Sequence, residues 1–395
     1  MFGQKFLDKG YYYLLLKYKK KKTKLIKQSH IIFDIASCII RQIKQEICLQ
    51  KQVPCPRPSV LLCADTLLKN GGIEKRLLQY SCTWEAKGFR VLLAAREGNG
   101  TADIWFTGNR FYNDWLFSRF ACKNRIQVVE WNAGGANIPW LTFKKLQKQN
   151  IKFGVIVHAS NNQWHFDYLQ QANYVFCSHF AHGERVRSLR KYPVLPNAVL
   201  PQKPCWKFFH QHKAIIISRL AEDKRPSLEG FISLCTHWKI PFYIAGDFSD
   251  KEGSAIKRSL QKTLLLNESV FLGKVDTVPF LYARWKDFLF VGGVGQVILE
   301  AGQLDYPCLL CSLLGAQESF FVCKSNLSQV LNYNCSPHTP AENKLLKQNQ
   351  NIEKCIKQIC MGETTPYQLG NKINTTCNLD NNLRQYARHT PQITI

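Results

Sequence analysis

Acids are scarce in this chain, and so are methionines and long apolar runs. Its 395 residues hold 28 aspartates and glutamates against 53 lysines and arginines, a formal charge of +25. Such an imbalance excludes an electrostatically indifferent surface and favours anionic partners. No apolar stretch approaches the roughly 18 residues that a bilayer crossing needs, which disfavours an integral membrane protein. The opening Met1-Phe2-Gly3-Gln4-Lys5 leads to a short apolar patch at 11–16 and then to lysines instead of a small-residue cleavage site, so no secretory signal is read there. Disulfide density is missing too. The 16 cysteines are scattered through apolar segments such as Val60-Leu61-Leu62-Cys63 and Tyr174-Val175-Phe176-Cys177, which reads as reduced, buried thiols of a cytosolic protein. One CxxC occurs, Cys308 to Cys311, but Cys355 and Cys360 have four residues between them, so a second zinc pair is lacking and no metal is expected. The chain also has no solenoid-period repeat.

What remains is a foldable majority. Hydrophobic residues make up 45% and aromatics 12%, more than a disordered chain keeps in water, and the length predicts two domains.

The charge is concentrated at the start, where residues 1–51 carry about a third of the positive excess. Lys19 to Lys22 lie in that run, and Ile31, Ile35, Ile39, Ile43 and Ile47 recur every four residues, as on one stripe of a helix. A lysine cluster beside an amphipathic helix suits an anionic membrane surface, each basic residue adding about 1 kcal/mol. A solvated run joined to a helix packed on the next domain fits equally well. Nucleic acid is not expected as a partner, because the run lacks interleaved aromatics and any helix-turn-helix or finger spacing.

From residue 59 onward, short β-rich runs alternate with helical periods, the pattern of parallel sheets with crossover helices. Strands are expected at 59–64, 90–95, 126–131, 153–159 and 174–178, with helices at 73–86 and 180–190. A second series follows, with strands at 214–218, 242–245, 270–272, 288–291 and 307–311 and helices at 226–237, 254–266, 278–286 and 296–304. Two Rossmann-like α/β units in tandem result, joined through the proline- and aromatic-containing stretch 198–213. The expected division is a basic extension over 1–57, a first unit over 58–200, a second over 201–335, and a polar, partly helical tail over 336–395 with one helix at 341–360 and no evident chemistry.

In open α/β sheets ligands gather at the carboxyl ends of strands, and four loops there are unusual. Lys69-Asn70-Gly71-Gly72-Ile73-Glu74 puts paired glycines, Gly72 among them, before a helix, where backbone N–H groups can approach an anion. Ser218-Arg219-Leu220-Ala221-Glu222-Asp223-Lys224 holds two permanent cations, Arg219 and Lys224, that either neutralise a diphosphate or pair with Glu222 and Asp223. Val291-Gly292-Gly293-Val294-Gly295-Gln296 strips side chains from a turn, and the apolar helix behind it carries one acid, Glu300. A carboxylate there needs donors, which ribose hydroxyls would supply, unless it turns to solvent or to a neighbouring lysine. Val155-Ile156-Val157-His158-Ala159-Ser160 ends a strand on an imidazole able to hold a sugar hydroxyl or pass a proton.

Together these segments resemble the family 4 retaining nucleotide-sugar glycosyltransferases, whose fold is GT-B. Gly71-Gly72-Ile73-Glu74-Lys75-Arg76 stands where that family has its Gly-Gly-x-Glu-Arg-like loop. His158-Ala159-Ser160 resembles its His-Ala-His-like strand end, with Ser160 in place of a second histidine. Val194-Leu195-Pro196-Asn197-Ala198 is similar to its Pro-Asn-Gly phrase, and Ser218-Arg219-Leu220 with Lys224 to the opening of its second domain. Ile244-Ala245-Gly246-Asp247 and Phe271-Leu272-Gly273-Lys274-Val275 resemble two further landmarks, so the likeness spans about residues 60–312. The family's two signature glutamates lie eight positions apart; the second aligns with Glu300, the first with Gly292.

The resemblance implies two nucleotide-fold lobes facing across a cleft, with sugar moved from a nucleoside-diphosphate donor to a glycan or glycolipid acceptor with retention. Arg219, Lys224 and the turn containing Gly293, Gly295 and Gln296 would receive the diphosphate and Glu300 the ribose; Gly72 would complete the donor site from the first lobe, and the acceptor would enter beside it and His158, the catalytic group. No cofactor beyond the donor is implied, and no Asp-x-Asp metal sequence is present. Cell-surface polysaccharide or lipopolysaccharide synthesis, in the cytoplasm or on the inner face of the cytoplasmic membrane, follows as an expectation. The loss of the first glutamate leaves two others open: a binding scaffold without turnover, and a nucleotide-sugar epimerase.

Overall fold

The computed structural model describes residues 56–67, 72–98, 102–106, 110–133, 143–158, 166–178, 189, 191–312, 318–333, 335 and 352–391. The lysine run and isoleucine stripe of residues 1–51, the helix expected at 180–190 apart from Leu189, and Ser160 lie outside them.

The first lobe contains β1 (Ser59–Leu67), α1 (Gly72–Ala86), β2 (Arg90–Gly98), β3 (Ile104–Trp105), α2 (Arg110–Asn124), β4 (Ile126–Ala133), α3 (Phe143–Lys148), β5 (Lys152–Val157), α4 (Phe166–Gln171) and β6 (Tyr174–Cys177). Its six strands are all parallel, in the order β3-β2-β1-β4-β5-β6. A parallel sheet is covered on both faces, so its strands run continuously apolar. Alternation along β1 then sorts the core. Leu61 and Cys63 join Leu116, Phe117 and Phe120 of α2 and Leu146 of α3. Val60, Leu62 and Ala64 join Leu77, Tyr80 and Trp84 of α1.

The second lobe repeats the design with β7 (Lys213–Ile217), α5 (Arg225–His237), β8 (Phe242–Ala245), α6 (Lys251–Leu264), β9 (Phe271–Gly273), α7 (Thr277–Ala283), β10 (Phe288–Gly293), α8 (Gln296–Gly302), β11 (Cys308–Leu310), β12 (Phe320–Val322) and α9 (Leu327–Asn332). Its order is β12-β11-β10-β7-β8-β9, with only β12 antiparallel. Ile215 and Val291 face α8 and α9, whereas Ile216 and Phe290 face α5 and α6. Asp250 caps α6 by accepting the Gly253 N–H at 2.7 Å. Both sheets are doubly wound, as the alternating pattern predicts.

The segment after residue 351 is more specific than a polar tail. Helix α10 (Ile352–Cys360) seats Cys355, Ile356 and Ile359 on the second sheet, and α11 (Gly370–Thr376) adds Ile373 to its other face. Helix α12 (Leu379–His389) returns to the first lobe and buries Tyr386 beside Tyr80 and Trp84. Within the described residues the chain thus passes between lobes twice, and the two passages brace each other. The Val199 N–H donates to the Cys377 carbonyl at 2.8 Å, and the Leu379 N–H to the Val199 carbonyl at 2.9 Å. No helix among the described residues is long and apolar enough to cross a membrane.

Candidate active site

Each sheet reverses its strand order once, between β1 and β4 in the first lobe and between β7 and β10 in the second. The crevice at such a reversal is where helices diverge to opposite faces and leave the strand ends open to a ligand. In the second lobe, the loop after β7 and the glycine turn after β10 both begin there. Their strands are hydrogen-bonded neighbours, with Ile216 opposite Gly292.

The β7 loop brings its cations together. Asp223 lies between them, its carboxylate taking both hydrogen bonds of the Arg219 guanidinium at 2.9 Å and standing 3.3 Å from Lys224 Nζ. Glu222 instead pairs with Arg225 at the start of α5. Arg219 is partly exposed and Lys224 less so.

In the turn, Gly295 has φ +60°, a conformation that other residues adopt only with strain, and a Cβ there would meet nothing within 4 Å. Its N–H donates to the Cys335 carbonyl, so it is already engaged. Gly293 sits over Val297 and the Ile217 carbonyl, where a Cβ would come within 2.7 Å of the valine. Gln296 opens α8, and its Nε2 donates to the Ala198 carbonyl at 2.9 Å and to Glu300 Oε1 at 3.3 Å. One turn further on, Glu300 is 4% exposed. Gln296 therefore ties the glycine turn to the passage between lobes and supplies the buried acid with a donor.

Gly292 occupies the position that aligns with the first signature glutamate of the transferases the sequence resembles, and it has no room for a side chain. A Cβ there would lie 2.6 Å from the Phe231 ring and 3.2 Å from Cys311 Sγ. Cys311 is itself a buried thiol, pushed up to about 12 by desolvation, and among the described residues no cluster of ligating side chains forms around it or elsewhere.

His158 and Gly72 belong to the first lobe. Gly72 is the first residue of α1, behind β1. His158 follows β5, half-buried, with Nε2 3.1 Å from Asn132 Oδ1 on β4. Beneath it lies a residue the sequence reading overlooks: Glu130, wholly enclosed on β4, two positions before Asn132. It accepts hydrogen bonds from Asn132 Nδ2 (3.1 Å), the Tyr174 hydroxyl (2.9 Å) and the Tyr386 hydroxyl. Arg76 of α1 is buried nearby over the Tyr80 ring, with Nη2 donating to the Leu195 carbonyl while Nε and Nη1 have no hydrogen-bond partner among the described residues.

Burial pushes the Glu130 carboxyl above its ordinary value of 4.5, and the bonds from Tyr386, Asn132 and Tyr174 and the Arg76 charge pull the other way. A raised folded-state value means that the folded chain binds this proton more tightly than the unfolded one. The contribution to stability is full below 4.5 and is lost as pH climbs through the raised value. Glu130→Gln cannot ionise, so it is expected to flatten that decline. Denaturant melts of both proteins over rising pH check this, the variant gaining relative to wild type in alkali.

No family model and no curated protein sequence matches the chain. Solved structures do. A glycosyltransferase from Rickettsia africae ESF-5 aligns with a TM-score of 0.54 and 14% identity, covering 84% of this chain and 97% of that one. The apo form of the lipopolysaccharide outer core galactosyltransferase WaaB aligns at 0.52 and 10%, covering 84% and 98%. The fold is GT-B. In GT-B terms, the switch point carrying Arg219, Lys224 and Glu300 belongs to the second lobe and the one beside Glu130, Asn132 and His158 to the first.

Proposed function

We propose that this GT-B protein is a glycosyltransferase that moves a sugar from a nucleoside diphosphate to a glycan or lipid-borne acceptor, with retention and without a metal. The observation that carries the reading is the meeting of the β7 loop and the β10 turn at one switch point, with Arg219 and Lys224 gathered on one carboxylate and a buried acid, Glu300, in the helix behind.

As the glycosidic bond lengthens toward an oxocarbenium-like transition state, negative charge builds on the departing diphosphate. Fixed cations at that point lower the barrier because they need no reorganisation. Arg219 and Lys224 take that role. Exposed ion pairs such as theirs with Asp223 are worth only about 0.2–1 kcal/mol, so a diphosphate, with more charge than a carboxylate, displaces Asp223. Glu300, held by Gln296, accepts from the ribose hydroxyls. His158 serves the acceptor side from the first lobe, and closure of the lobes excludes water so that transfer outruns hydrolysis.

The filled space at Gly292 favours a second reading, a scaffold that binds nucleotide without turning it over. Purified protein incubated with a panel of nucleotide sugars and a glycolipid extract separates them. Release of nucleoside diphosphate that depends on acceptor is the expected result; binding without release supports the scaffold, and an isomerised donor an epimerase. The cation assignment is checked separately by Arg219→Ala, which should weaken nucleoside diphosphate binding by about 1.5–3 kcal/mol in calorimetry, the range for a charge-assisted contact. Unchanged affinity removes Arg219 from the site.

A membrane-facing role for residues 1–51 and an acceptor of the polysaccharide or lipopolysaccharide class extend the same proposal.

A further inference from the structure

A polar chain runs through the apolar layer of Val60, Leu62, Trp84 and Phe176 in the first lobe, and its direction can be read from its two ends. The Trp84 indole N–H, a donor only, gives its hydrogen to the Tyr386 hydroxyl at 2.7 Å. That hydroxyl therefore turns its own hydrogen onto Glu130 Oε2, where the Tyr174 hydroxyl also donates. Ionised, at pH above its raised pKa, the Glu130 carboxylate only accepts. Its other oxygen, Oε1, thus draws the amide Nδ2 of Asn132, and the Asn132 carbonyl is left facing His158 Nε2 at 3.1 Å. Two acceptors cannot share a bond, so Nε2 must carry the hydrogen.

We propose that Glu130 is a positioning residue for His158: by holding the Asn132 amide it turns the Asn132 carbonyl to the imidazole, fixes the Nε2–H tautomer and makes Nδ1 the basic nitrogen of the ring. The functional weight of this inference rests on the reading of His158 as the group that serves the acceptor. The groups facing Glu130 come from four elements. Arg76 and Tyr80 stand on α1, Asn132 on β4, Tyr174 on β6 and Tyr386 on α12. The state of one imidazole at the strand ends is thereby tied to α12, which reaches the first lobe only after the chain has passed along the second.

A neutral side chain of the same shape reverses the chain. In Glu130→Gln the carbonyl must stay with the two tyrosine hydroxyls, so the new amide faces Asn132. Asn132 then flips, presents its own amide to His158, and Nε2 becomes the acceptor. The full-length protein with isotope-labelled histidine, free of any donor and at a pH above both the imidazole pKa and the raised Glu130 value, reports the tautomer by carbon and nitrogen NMR, with His158→Gln identifying the resonance. The expected result is an excess of Nε2–H in the wild type and an inverted ratio in Glu130→Gln. A wild-type ring predominantly in the Nδ1–H form overturns the proposal, as does a folded Glu130→Gln with an unchanged ratio. If that variant does not fold, the wild-type tautomer alone decides. Because no donor is in the tube, an error about the transfer reaction leaves this reading intact and shows up in the release assay instead.

Discussion

Gly292→Glu, which places a glutamate where the family 4 transferases that the sequence resembles carry their first one, is expected to unfold the second lobe instead of creating a sugar contact. Gly292 lies inside the sheet, opposite Ile216 on one side and Leu309 on the other. Its Cβ direction is blocked by Phe231, which is itself wedged edge-on against Phe242 and Phe290, each 6.1 Å away. A ring held from both sides cannot swing aside without opening the cluster. Overpacking a core of this kind costs about 1–3 kcal/mol, and an enclosed carboxylate without donors adds more than the roughly 1–3 kcal/mol of a neutral polar group left unpaired. The sum is a large part of the roughly 5–15 kcal/mol that holds a domain together. Urea melts should show the second lobe lost or its midpoint sharply lowered, with Gly292→Ala intermediate. A Gly292→Glu protein as stable as wild type would mean that Phe231 yields easily and that the strand end is open after all.

Tyr386→Ala is the other substitution with a large expected effect. The ring fills the space between Tyr80, Trp84 and Phe176, with centroids 4.5, 6.1 and 5.6 Å away. Emptying an enclosed aromatic site costs about 3–5 kcal/mol. Removing the hydroxyl also strips Glu130 of a donor and the Trp84 indole of its acceptor. Tyr386→Phe isolates that part, about 1–3 kcal/mol for the buried polar groups left behind. Thermal melts followed by Trp84 emission should order the proteins wild type, then Phe, then Ala. Equal stability of the Phe and Ala variants would show that the ring contributes no packing.

The two sheets were legible in the sequence because parallel strands are buried on both faces and read as unbroken apolar runs. Val60 to Ala64, Ala214 to Ile217 and Phe288 to Val291 are such runs, and the cation loop and the glycine turn stand out at the ends of the last two. What escaped was whatever depends on contacts distant in the chain. Helix α12 has a polar average, and its burial rests on Leu379, Leu383 and Tyr386, spaced i, i+4, i+7 behind an Asn378 cap. That stripe is visible only to a reader who already suspects a partner for it. Helix α2, in a stretch between the expected strands at 90–95 and 126–131 where the pattern predicts no element, buries Leu116, Phe117 and Phe120.

Glu130 left a clearer trace. An acid inside Ile126-Gln127-Val128-Val129-Glu130-Trp131 is costly in a buried strand unless donors converge on it. Asn132 shares its face by the two-residue period. The donors themselves, Tyr174 and Tyr386, come from 44 and 256 residues away, which no local pattern reveals. In the same way, nothing in the sequence shows that Asp223, not Glu222, would join Arg219 to Lys224.

The central claim is that the switch point between β7 and β10 receives a nucleoside diphosphate. Hydrogen exchange of the full chain, read by mass spectrometry with and without saturating nucleoside diphosphates of each base, tests it most directly. The account predicts protection in peptides covering 217–224 and 291–300 with at least one base, and its loss in Arg219→Ala. Protection confined to other segments, or no binding of any diphosphate by the folded protein, would contradict it.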